Sequence, residues 1–143
     1  MSPELLFDVR FQIGQLDRTI DSLRDVLARG QELSREEMAL AAIANYSFYN
    51  GVEGCLQLLC KGSNIPLPAG DRSHSELLDL AAQSKIISAQ VAEALRPVMS
   101  FRHVFRHSYF FDLDSKRVGE LSKTASVLWP VVRMQIIDFA EGL

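Results

Sequence analysis

The sequence predicts an all-α protein, an antiparallel bundle of four long helices with one additional short helix. Three observations carry this expectation. Apolar residues recur at three- and four-residue steps through most of the 143 residues, the spacing of one buried helix face. The pattern breaks where helix caps or Gly/Pro-rich loops are expected. The strict two-residue alternation of a half-buried strand is absent.

Each element follows from its own signals. Ser2-Pro3-Glu4 opens the first helix, with a capping serine and a proline in the first turn. Leu6, Val9, Ile13, Leu16, Ile20, Leu23 and Leu27 form its stripe, and Gly30 ends it. Ser34-Arg35-Glu36-Glu37 is a capping-box signature for the second helix. Its inward face is read as Met38, Ala41, Ala42, Asn45, Tyr49, Val52, Leu56 and Leu59. The segment GSNIPLPAG, residues 62–70, is a loop, and a short helix follows near His74 to Gln83. Ser88 caps a fourth helix carrying Val91, Leu95 and Val98, in which Pro97 predicts a kink or break. Asp112-Leu113-Asp114 ends it. A fifth helix spans about Ser115 to Glu141, with Val118, Leu121, Ala125, Leu128, Val132, Ile136 and Phe139 inward and Pro130 as an interruption. No internal repeat or low-complexity tract divides the chain, so residues 1–143 are read as a single domain.

Composition bounds the function. A net charge of −3 gives no overall basic field to attract nucleic acid, so any such contact must come from a local patch. Cys55 and Cys60 sit in a helix at a spacing that suits neither a metal knuckle nor a disulfide framework, and read as buried free thiols of a reducing compartment. The N-terminus lacks the apolar core of a signal peptide, and no apolar run reaches the roughly 20 residues of a membrane span. A cytoplasmic protein with no membrane association is expected.

One stretch stands out. FRHVFRHSYFFDLD, residues 101–114, holds two arginines and two of the chain's three histidines within Arg102–His107. On a helix turning about 100° per residue, Phe101, Val104, Phe105 and Ser108 face the core. Arg102, His103, Arg106 and His107 share the other side within an arc of about 140°, with Tyr109 near the azimuth of Arg102. Guanidinium groups bind phosphate, and imidazoles exchange protons near neutral pH. RNA brings its own nucleophile, the 2′-OH, so such a face holds the residue types a metal-independent ribonuclease needs. The same composition also describes an ordinary solvated helix face. His103 and His107 stand i,i+4, as in zinc helices, but no HExxH pattern is present and the arginines would repel a cation; no metal or cofactor is expected.

Arg102, four residues, His107, one residue and Tyr109 together resemble the R-x4–6-H-x-Y signature of HEPN-domain, HepT-like ribonuclease toxins. FYNGVEG (residues 48–54) and LPAGDRSHSELL (residues 67–78), in this order with the FRH stretch, extend the resemblance over essentially the whole chain. It implies a HEPN-like bundle and a metal-independent endoribonuclease, the toxin of a type II toxin–antitoxin system. It also implies a two-fold homodimer in which the Arg-His motifs of both protomers line one cleft. Arg102 would stabilise the phosphate and His107 would be the acid/base. An MNT-type nucleotidyltransferase antitoxin would transfer AMP to Tyr109. His103 stands where many HEPN motifs have asparagine and, with Arg106, is assigned a supporting role. Asn50 and Glu53, at i,i+3 on the second helix, are either support for the Arg-His face or a solvated flank. His74 is read as a loop or capping residue. The alternative function is a non-catalytic HEPN module that binds RNA, nucleotide or a partner protein.

Overall fold

A computed structural model describes residues 1–30, 32–107 and 113–142. Five helices follow in chain order: α1 (Pro3–Leu27), α2 (Arg35–Gly62), α3 (Ser73–Gln83), α4 (Ala89–His107) and α5 (Ser115–Glu141). No strand occurs among the described residues. The all-α fold expected from periodicity is the observed one.

The caps act as their residue types require. The Ser2 hydroxyl accepts from the Leu5 amide and starts α1. Ser34 and Glu37 form a reciprocal capping box, with Oγ accepting from the Glu37 amide and Oε1 from the Ser34 amide. These bonds hold the Glu37 carboxyl below its ordinary range. Ser88 Oγ accepts from the Val91 amide, and Asp114 from the Lys116 amide. Gly30 lies just past α1 with φ of 65°, a left-handed conformation that costs glycine little.

α2 is the central element, packing on α1, α3, α4 and α5. The predicted α2 stripe, Met38 through Leu59, is buried throughout. α1 and α5 need small corrections of phase. Val26 is buried where Leu27 was expected, and Trp129 and Ala140 replace Leu128 and Phe139 as fully inward residues. The Trp129 indole meets the Phe48 ring edge-on in the core, and its N–H donates to Asp17 of α1 at 2.7 Å. Gly51 allows α1 to approach α2, because a Cβ there would stand 2.6 Å from Leu16 Cδ2. Cys55 and Cys60 are free and buried, as expected, and burial pushes the Cys55 thiol up to about 12.

Neither internal proline breaks its helix. A proline lacks the N–H that would satisfy the carbonyl four residues earlier. For Pro130 that carbonyl is Ser126, and Arg24 Nη2 of α1 donates to it at 3.0 Å. For Pro97 the corresponding residue, Glu93, is exposed, so water can solvate its carbonyl. Both helices thus run through their prolines, with the acceptor freed by Pro130 taken up by Arg24.

Candidate active site

The site is built where α4 crosses α2 and α3. Phe101 anchors this part of α4 in the core at 1% exposure. Phe105, one turn later, packs against Phe101 and against Tyr46 of α2, with centroid separations of 6.3 and 4.9 Å. This aromatic contact fixes the rotation of α4 about its axis. Arg102 is thereby carried toward α2 and α3, half-buried, while His103, Arg106 and His107 project into solvent.

Arg102 is held from three sides. Its Nε donates to Asn50 Oδ1 at 2.6 Å, and Nη1 lies 3.1 Å from His74 Nε2. The guanidinium carbon stands 5.8 Å from the Tyr46 ring centroid, close enough for a cation–π contact. His74 Nδ1 in turn lies 2.8 Å from both carboxylate oxygens of Glu53. Glu53 is only 7% exposed. A charged side chain at that depth requires a partner, and His74 supplies it. One turn before Glu53, the buried Tyr49 phenol has no hydrogen-bond partner among the described residues. Burial, with the Glu53 charge second, pushes its ionisation well above the ordinary tyrosine range.

Donor counting sets the condition for the Arg102–His74 hydrogen bond. An arginine has only donors, so a hydrogen bond between Nη1 and His74 Nε2 requires that Nε2 be an unprotonated acceptor. The ring proton then lies on Nδ1 and is donated to Glu53. In that tautomer both polar partners of Arg102 among the described residues are neutral acceptors. They orient the guanidinium without cancelling its charge. Of its five N–H donors, two are engaged by Asn50 and His74 and three are without a partner among the described residues.

The model described as HepT-like protein matches residues 39–143. The chain belongs to the HepT-like family. A comparison with curated proteins finds no match. In this HepT-like chain the matched span includes Asn50, Glu53, His74, Arg102 and His107 but begins after α1, so the resemblance read over the whole sequence is matched from residue 39 onward.

The predicted site residues divide into three groups. Asn50, Glu53 and Arg102 come together, and the reading of Asn50 and Glu53 as a solvated flank is corrected by their bonding and by the burial of Glu53. His103, Arg106 and His107 are exposed and outside the Arg102 network, with the His103 and His107 rings 4.5 Å apart. Tyr109, and Ser108 as a core residue, lie outside the described residues. His74 is the residue sequence reasoning misplaced. It caps nothing, since α3 has no side-chain cap; its ring bridges α2 and α4. The signal available was its place in LPAGDRSHSELL, but only the packing of α3 brings it to Arg102.

A small pocket of about 80 Å³ opens beside His74 and Glu53, bordered by Leu67, Pro68 and Ser73. A cleft of about 560 Å³ lies at the opposite end of α4, around Ile86, Ser88 and Gln135. It holds no comparable group of proton-transfer and anion-binding residues. No three His, Cys, Asp or Glu side chains among the described residues converge to hold a metal. No described helix is long and apolar enough to cross a membrane.

Proposed function

We propose that this HepT-like chain is the toxin of a type II toxin–antitoxin system, a metal-independent endoribonuclease acting as a single domain over residues 1–143 in the cytoplasm. The observation that carries the reading is Arg102. It is oriented by an amide oxygen and an imidazole rather than by a carboxylate, and has donors to spare among the described residues. A phosphodiester presents the complementary oxygens.

In the proposed reaction a base takes the proton of the RNA 2′-OH. The 2′-oxygen forms a bond to phosphorus, the bond from phosphorus to the 5′-oxygen breaks, and an acid protonates the leaving oxygen. His107 supplies the acid/base function, and Arg102 stabilises the charge that builds on the phosphoryl oxygens. His103 and Arg106, exposed beside it, support RNA binding. A two-fold homodimer would bring two His107 side chains and two Arg102 side chains to one cleft. The half-exposed Leu40 and Ile43 support that reading, since Ile43 lies i,i+3 and i,i+7 from Tyr46 and Asn50. An MNT-type nucleotidyltransferase antitoxin would neutralise the toxin by adding AMP to Tyr109. The added negative charge would sit where phosphate must bind.

The test is cleavage of RNA by the purified protein in the presence of chelator. Products with 2′,3′-cyclic phosphate ends, lost in His107→Ala, are the expected result. The intact mass after co-expression with the nucleotidyltransferase should rise by AMP, and Tyr109→Phe should abolish the increment. Salt-sensitive RNA binding with no cleavage would replace the enzyme by a binding module.

A further inference from the structure

We infer that His74 is a positioning residue for Arg102: a neutral imidazole, anchored by Glu53, whose bare Nε2 aims the guanidinium from α3. The kinetic part of this inference rests on the ribonuclease reading, whereas the geometric part stands without it.

The argument starts from Glu53. Both carboxylate oxygens lie 2.8 Å from Nδ1 of His74, and the carboxylate is buried. This contact holds the proton on Nδ1 and fixes the ring plane. Nε2 is left as an acceptor 3.1 Å from Arg102 Nη1. Asn50 grips the same guanidinium at Nε, from α2. Two acceptors on two helices, meeting different nitrogens, fix the orientation of a planar group; either alone would let it pivot about the remaining bond. The carboxylate–imidazole–guanidinium chain thus transmits the placement of α3 to the proposed phosphate-binding group. His74 itself is not assigned contact with RNA.

A simple staple between α2 and α3 would need only the bond to Glu53. Positioning needs the bond to Arg102. Two substitutions separate these roles, because asparagine places its amide nitrogen near the site of Nδ1 and glutamine places its terminal group near Nε2. His74→Asn keeps the donor to Glu53 and loses the acceptor for Arg102. His74→Gln keeps the acceptor and loses the donor.

The experiment combines imidazole ¹⁵N spectra of the wild-type protein at neutral pH with thermal melts and single-turnover RNA cleavage at saturating enzyme. The expected spectrum shows His74 protonated at Nδ1 and bare at Nε2. His74→Asn should melt close to wild type yet cleave roughly ten- to a hundredfold more slowly. His74→Gln should melt lower, since it leaves Glu53 without its donor, yet cleave within a few-fold of wild type. A ring protonated at Nε2, or the reverse ranking of the two variants in cleavage, would overturn the inference. If wild-type protein shows the expected tautomer but cuts no RNA, the ribonuclease reading fails alone. RNA affinity of the same two variants then decides, with weaker binding by His74→Asn than by His74→Gln expected and the opposite order overturning the positioning role.

Discussion

On one side of the bundle, Asp17 of α1 accepts from the Trp129 indole and from Arg133 of α5. On another, Asn50, Glu53, His74 and Arg102 join α2, α3 and α4. Both clusters contain an arginine at a helix contact, and their chemistry differs in one respect. Arg133 faces a carboxylate directly, at 3.1 Å, with both groups more than a third exposed. Its charge is cancelled locally, and water screens what remains. Arg102 faces an amide oxygen and an imidazole, while the cluster's carboxylate stands one residue removed and buried. Its charge is held in place but not consumed. An ion pair is a finished contact; a cation oriented by groups other than carboxylates, among the described residues, keeps donors for an anion.

The largest expected effect tests that contrast at its centre. Arg102→Ala should slow RNA cleavage by roughly 10²–10³-fold, the scale of losing one charge-stabilising group, with the helical fold retained by circular dichroism. A variant that cleaves at the wild-type rate would erase the distinction between the clusters. Next, Asn50→Ala removes one of the two neutral acceptors and leaves His74 in place. Cleavage should fall by about tenfold, corresponding to about 1.4 kcal/mol in the barrier. An effect equal to that of Arg102→Ala would assign Asn50 a role beyond orientation. The smallest effect belongs to the other side. Asp17→Asn keeps an acceptor for the Trp129 N–H and removes only the charge pairing with Arg133. Denaturant unfolding should show a loss of less than about 1 kcal/mol, and cleavage should be unchanged. A marked loss of cleavage would show that the α1–α5 contact, too, reaches the site.

How much of this could be read in the chain varies residue by residue. The capping box at Ser34–Glu37 was legible because both partners lie within one turn. The α2 stripe was legible because its period is local. Trp129 reads from its aromatic character as a core or dimer contact, but the phase of the α5 stripe pointed to Leu128, and the choice between them depends on where α1 sets Asp17. Pro130 looked like a break because the donor that satisfies Ser126 belongs to another helix. Glu53 was ambiguous for a similar reason: a glutamate on a helix flank is solvated unless another element covers it. Here α3 does, bringing His74 with it.

The sequence by itself determined the five helices, most of their caps, the buried stripes, and the gathering of Arg102, His103, Arg106 and His107 on one segment. These follow from periodicity and capping, which act over a few residues. Only the tertiary structure decided that Arg102 turns inward while the other three stay in solvent. Its acceptors lie 52 and 28 residues away in the chain, on α2 and α3. Which residues meet across such distances depends on how helices rotate against one another, and that rotation is set here by the packing of Phe101, Phe105 and Tyr46.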